Sequence, residues 1–289
     1  MALADSSGEL KHQEVLVAGL VRNGARSLAK NVAILRKAVG GLFGQVHTLL
    51  VESDSKDRTE DVLAGLTRDL ADFRYLCLGN LRDAHPVRCD RLARCRNTFL
   101  DELRENPIYS KVRYLIVSDM DGVSRHLTTR ALATCWERDA PWDVCTANQG
   151  DYYYDVWTLR HDPWCPGDTW QEFERLKPLV GKRAATEIAL FSRMIHVSTM
   201  RPMIEVESAF GGLAVYKREA VLAGRYGGLR EDGTEVCEHV TLCTEMRAKG
   251  FRIFLNPALI NAKTTDHAGR KKFFRTFRRN LWGYLSGKD

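Results

Sequence analysis

The sequence predicts an α/β protein built on a mostly parallel central sheet with helices packed against it. Two observations predict it. In the first half of the chain, short apolar runs rich in Val, Leu and Ile alternate with segments of helical period, the pattern of strands joined by helical crossovers. The polar and charged residues with chemical potential fall just after those runs, where ligands of such sheets collect. A chain of 289 residues with 44% apolar content suffices for one large domain of this kind.

In order along the chain, residues 15–21 read as a first strand and 27–39 as a helix. Residues 46–51 and 59–70 repeat the pair, as do 73–78 and 92–103, and 112–118 form a fourth strand. The second half is less regular. Residues 144–147 read as a strand, followed by a tyrosine-rich stretch over 151–157 and a Pro/Trp/Gly loop over 162–168. Residues 210–216 read as a further strand. A helix over 238–249 stops at Gly250, and 251–255 form the last strand of this half.

No window approaches 18 continuous apolar residues, so no spanning helix is expected. Residues 1–14 are polar and lack the apolar core of a signal peptide, so the expected location is the cytosol. The eight cysteines form no CxxC pair, which argues against structural zinc and for reduced, mostly buried thiols. Net charge is +6, and residues 270–289 carry all of it with seven Lys/Arg against one Asp. A neutral body lacks the broad basic footprint of a nucleic-acid-binding protein. Residues 269–289 are expected to form a basic amphipathic helix. Phe273, Phe274, Phe277, Leu281 and Leu285 interleave there with Lys and Arg, which fits either an anionic membrane surface over 270–285 or packing on the domain.

The strand over 112–118 ends in Ser118-Asp119-Met120-Asp121. Two carboxylates that converge where a strand breaks into a loop repel each other unless a cation lies between them. A hard divalent ion, Mn2+ or Mg2+, held by Asp119 and Asp121 keeps open positions for phosphate oxygens. A surface turn is the plain alternative. After the second strand comes Glu52-Ser53-Asp54-Ser55-Lys56-Asp57-Arg58-Thr59, in which Glu52 stands where a nucleotide base or ribose would lie and Ser55, Asp57 or Thr59 could cap the next helix. Of the arginines over 88–96, most must face solvent. Arg91, with Asn97, is expected on the phosphate side, where guanidinium suits bidentate contact.

Arg22-Asn23 after the first strand, Glu52-x-x-Ser55-x-Asp57-x-Thr59 after the second, Arg96-Asn97 in a helix and Asp119-x-Asp121 together resemble the nucleotide half of GT-A glycosyltransferases. Further on, residues 154–160, Gly211-Gly212, Cys237-Glu238-His239 and residues 250–257 resemble the fungal capsule-associated α-1,3-mannosyltransferases. The resemblance covers most of 14–267 through short motifs. It implies a GT-A fold over 1–268, with a nucleotide-binding half over 14–121 and an acceptor-binding half over 122–268 carrying a smaller sheet.

It also implies roles. Arg22, Asn23, Glu52, Asp54, Arg91, Asn97, Ser118 and Asp119 would bind the nucleotide of a GDP- or UDP-sugar. His267 would join Asp119 and Asp121 as a metal ligand. Asp155, Trp157, Gly211, Gly212 and His239 would serve the sugar or acceptor, a carbohydrate or lipid-linked glycan. Glu238, with Asp121 in the catalytic group, falls where inverting relatives place an acidic pair. His239 occupies the position of that pair's base, which departs from the pattern. Retention of configuration is the preferred outcome, with Glu238 orienting a sugar. Inversion with Glu238 as base is the alternative. A sugar nucleotidyltransferase would want a more glycine-rich loop than Leu20-Val21-Arg22-Asn23-Gly24, and a non-catalytic carbohydrate- or membrane-binding module is the non-enzymatic rival.

Overall fold

Strands β1 (Glu14–Val21), β2 (Gln45–Glu52), β3 (Phe73–Cys77) and β4 (Val112–Ser118) pair in parallel in the order β3-β2-β1-β4. The structure is a computed structural model that describes residues 8–263. Four more strands continue the same sheet: β5 (Val144–Gln149), β6 (Ile204–Val206), β7 (Leu213–Lys217) and β8 (Ile253–Ala262). The full order is β3-β2-β1-β4-β7-β5-β8-β6, with β7 antiparallel to both neighbours and β6 antiparallel at the edge. The strands expected on a separate smaller sheet therefore belong to the main one among the described residues.

Both faces of the sheet are covered, which is why its strands read as unbroken apolar runs. On one face, Leu16, Ala18, Leu115 and Val117 pack with helix α3 (Arg88–Glu105), through Phe99, Leu100 and Leu103, and with helix α7 (Glu238–Ala248), through Leu242 and Met246. On the other, Val15, Val17 and Ile116 pack with helices α1 (Leu28–Gly40), α2 (Thr59–Asp69) and α4 (Thr129–Glu137). Helix α5 (Thr169–Ala189) builds a small third cluster with Val156, Phe173, Ala185 and Leu190. A short helix α6 (Arg218–Leu222) follows β7.

Several elements differ from expectation for identifiable reasons. The strand expected to stop near residue 255 runs on to Ala262, because the β5–β8 register breaks between Thr146 and Asn148. That break accommodates Pro257, which cannot donate to a ladder. The tyrosine-rich stretch 151–157 forms neither strand nor helix, and α4 and α5 were not expected at all. All eight cysteines are free and only Cys77 is exposed. No helix among the described residues is long and apolar enough to cross a membrane. His267 and the basic helix expected over 269–289 lie outside the described residues.

Candidate active site

Strand order reverses at β1, since β2 and β3 lie to one side of it and β4 to the other. The carboxyl ends of β1 and β4 flank that switch point, where open sheets form a ligand crevice. A cavity of about 980 Å³ lies there, with Arg22, Asn23, Asp54, Asp119 and Asp121 in its wall. The second half of the chain supplies the facing wall, including Asp155, Trp157, Phe210, Glu238 and His239.

The loop after β1 is stapled by the segment after β2. Ser55 Oγ accepts from Asn23 N at 2.9 Å, Thr59 Oγ1 from Gly24 N at 2.8 Å and Asp57 Oδ2 from Ala25 N at 3.1 Å. Lys56 N in return donates to Asn23 Oδ1 at 2.7 Å. Asn23 has φ 52°, left-handed backbone that Asn tolerates better than most residues. Ser55, Asp57 and Thr59 thus hold a neighbouring loop, and Asp57 Oδ1 also accepts from Thr59 N, the first amide of α2, at 3.1 Å, while Arg58 at the N-cap position makes no side-chain cap.

Asp119 N donates to Gly212 O at 3.0 Å, tying the loop after β4 to the turn before β7. Gly211 and Gly212 shape that turn rather than line the cavity. Both have positive φ, and a Cβ on Gly212 would come within 2.6 Å of Val123 Cγ1. Asp121 is exposed in the cavity, its Oδ1 accepting from Val123 N at 2.9 Å. Burial pushes the Asp119 carboxyl up to about 7; Arg96 opposes the rise, while Asp121 and Asp155 add to it.

Arg96, part of the Arg96-Asn97 motif but given no role of its own by the sequence, is central to the site. It bridges two carboxylates, Nη2 to Asp119 Oδ1 at 3.2 Å and Nε to Glu238 Oε1 at 3.1 Å. Its guanidinium lies 5.3 Å from the Phe210 ring centroid and 5.7 Å from that of Tyr226. Burial alone would weaken its charge, but Glu238 and Asp119 outweigh that, so it stays protonated. A signal existed: Cys89, Ala93, Arg96, Leu100 and Leu103 follow helical spacing, so Arg96 sits within the buried stripe of α3.

Other expected residues are engaged internally. Glu52 is buried, accepting from Ser55 N at 2.9 Å and the Cys77 thiol at 2.8 Å. Asn97 clamps the Tyr226 backbone at 2.9 and 3.0 Å. Ser118 Oγ meets Ser124 Oγ at 2.9 Å inside the core. None of these three lines the cavity. Asp54 and Arg91 do line it, but Asp54 Oδ1 accepts from Leu81 N and Arg82 N at 3.1 and 3.0 Å, and Arg91 Nη1 donates to the carbonyls of His85 and Pro86.

On the facing wall, Asp155 accepts from Gly211 N at 2.9 Å and Thr158 Oγ1 at 2.7 Å, while burial raises its pKa above the ordinary carboxylate range. The indole Nε1 of Trp157 is buried without a hydrogen-bond partner among the described residues. The other metal-compatible cluster lies away from this cavity: among the described residues, only Glu52, Glu60 and Cys77 bring three potential ligand atoms within 4.8 Å of one another.

His239 stacks on Phe210 with centroids 3.8 Å apart, beside Tyr226, and neither ring nitrogen has a hydrogen-bond partner among the described residues. Its Nε2 is 3.9 Å from Glu238 Oε1, too far for a hydrogen bond. Burial, and then Arg96, hold its pKa well below the ordinary histidine value, so the ring is neutral. A group depressed in the folded state but ordinary in the unfolded chain favours unfolding once the pH drops below the unfolded value near 6.5. Asp119 acts oppositely, since a raised carboxyl pKa costs stability as pH rises through about 7, but a His239 variant keeps that contribution. His239→Asn should therefore flatten the acid limb of stability against pH by about 1.4 kcal/mol per unit below 6.5. Urea midpoints measured at two pH values check this; parallel limbs for both proteins would mean His239 does not titrate on unfolding.

No family model matches this chain, and no curated protein matches it. Solved structures do align with it. A mannosyltransferase from Pyrobaculum calidifontis in complex with GDP-Man and Mn2+ shares 13% identity over 91% of this chain and 60% of its own, with a TM-score of 0.48. TarS from S. aureus in complex with UDP-GlcNAc shares 12% over 89% and 61%, with a TM-score of 0.48. Glucosyl-3-phosphoglycerate synthase from Mycobacterium tuberculosis in complex with Mn2+, UDP and phosphoglyceric acid shares 12% over 91% and 71%, with a TM-score of 0.43. This chain thus spans about three fifths of the length of the first two. The likenesses are loose, and the ligands named are those of the aligned proteins.

Proposed function

We propose that the chain is a divalent-cation-dependent hexosyltransferase of the GT-A type. It moves a sugar, for which mannose is our first choice, from a GDP- or UDP-sugar to a carbohydrate or lipid-linked saccharide. One observation carries this reading. At the sheet's switch point, a single cavity sets two oxygen-donor side chains, Asp119 and Asp121, against a wall of carboxylates and aromatics suited to a sugar.

The donor set fits Mn2+ or Mg2+, because carboxylates are hard oxygen ligands and Asp121 is exposed in the cavity. When bound, the ion would polarise the donor's diphosphate and stabilise the charge that grows on it. The protein's own contribution is orientation. Arg96 fixes Asp119 and Glu238 relative to one another, although Glu238 lies 142 positions from it in sequence. Trp157 in the cavity wall offers an apolar ring face of the kind that suits a pyranose. Asp155 lies in the same wall and can grip a hydroxyl. Glu238 Oε1 is engaged by Arg96, which favours an orienting role for it and retention over inversion.

Thermal unfolding with and without Mn2+ and nucleoside diphosphates tests the reading. Saturation at about a hundred times Kd should raise Tm by about 5 °C, and only with both components present. Absence of any shift with GDP or UDP, or an equal shift in EDTA, would sink it.

A further inference from the structure

Helix α5 is broken where Pro178 and Gly181 interrupt it, Gly181 adopting φ 79° and ψ 159°. Proline removes an amide and glycine alone accepts that backbone, so the interruption is written into the sequence. At the break, Leu179 is 71% exposed and Val180 is 45% exposed. Pro178, Gly181, Lys182 and Arg183 are exposed with them.

A single exposed aliphatic residue is ordinary, but a consecutive pair at a helix break is not. The charge around it is one-sided. Arg175, Lys177, Lys182 and Arg183 are all exposed; Glu174, the one acid between residues 174 and 186, pairs with Lys177 at 3.2 Å, and Glu172 and Glu187 lie further along the helix on either side. Long basic side chains flanking an apolar tip can reach phosphate groups while the tip enters the layer beneath them. A soluble protein partner would meet the apolar pair as well but would not by itself call for this ring of cations.

We propose that residues 175–183 form a membrane-contact tip, which sets Leu179 and Val180 into the interfacial layer of an anionic phospholipid bilayer while Arg175, Lys182 and Arg183 pair with lipid headgroups. The same helix lines the cavity through Trp170 and Thr186, so a seated tip would keep that cavity at the membrane surface. The contact stands whether or not the reaction proposed above is correct, because none of its residues lines the cavity.

The test uses the full 289-residue chain and its co-sedimentation with phosphatidylcholine vesicles and with mixed phosphatidylserine–phosphatidylcholine vesicles. The C-terminal basic segment is then identical in every sample. Leu179→Ser/Val180→Ser and Lys182→Glu/Arg183→Glu should each lower partition onto the phosphatidylserine vesicles by about tenfold. Both pairs are exposed, so thermal unfolding should be unchanged, and either pair still reports if the other fails to fold. Unchanged partition of both variants overturns the proposal, as does absence of binding by the unaltered chain. Loss confined to the charge pair also overturns it, since no insertion then occurs. A change of oligomeric state with unchanged partition would instead make this surface a contact between two copies of the chain.

Discussion

Asp121→Ala should cut Mn2+-dependent release of nucleoside diphosphate from a nucleotide-sugar by at least about a hundredfold, the scale expected when one charge-stabilising group is removed from a transfer reaction. The folded state should hardly notice. Asp121 is exposed, and its Oδ1 makes a single bond to the Val123 amide, worth about 1 kcal/mol at most. Activity and stability are thus separated at this residue. Asp121→Asn sharpens the test, because it retains an oxygen that can accept the Val123 amide and removes only the charge. Both variants should keep their Tm and lose turnover. Turnover near that of the unaltered protein, measured with Mn2+ present, would remove the cation from the proposed mechanism.

Arg96→Met should show the opposite profile, with stability and activity falling together. The substitution leaves Asp119 and Glu238 without the guanidinium that bridges them at 3.2 and 3.1 Å. Breaking a buried pair from one side costs about 3–5 kcal/mol, much of it for the charge left behind. For a chain of this size that is about 10 °C in Tm. Arg96→Lys should recover only part of the loss, since one ammonium cannot reach two carboxylates as a planar fork does. Adding Glu238→Gln to Arg96→Met removes one stranded charge. The double variant should therefore be less destabilised than the two single changes summed, by about 1 kcal/mol or more. Strict additivity, read from denaturant midpoints, would show that the Arg96–Glu238 contact contributes nothing to the fold.

The legible parts of the sequence were those with an unbroken local pattern. The strand over 112–118 coincides with β4, and β1 differs from its reading by one residue, because strands covered on both faces are apolar throughout. Asp119 and Asp121 were legible for the same reason, standing where such a strand ends. Helix α5 was hidden by Pro178 and Gly181, which erase the helical period. Helix α4 has nine residues, and its one clear signal was Thr128, whose hydroxyl accepts from Ala131 N at 3.1 Å. The roles first read for Arg91 and Asn97 illustrate a different limit. Facing the sheet edge decides neither whether a side chain reaches the cavity nor what else it bonds. Asn97 turned to the Tyr226 backbone and Arg91 to the carbonyls of its own helix entrance, while Arg96 between them was the inward residue. The partners that engage these side chains lie up to 142 positions away, beyond the reach of any window of local sequence.

The placement of β7 between β4 and β5 carries a kinetic implication. Asp119 meets Gly212, and Arg96 meets Glu238, only after the intervening chain has looped back and β7 has zipped against β4. Contacts of such separation defer their stabilisation until loop closure has been achieved, and chains dominated by them fold slowly. A nascent or truncated chain that ends before residue 213 could form β1 to β4 and still lack Cys237, Glu238 and His239 from the cavity wall. Competence would then arrive late in folding and in a single event, with the last strands to pair.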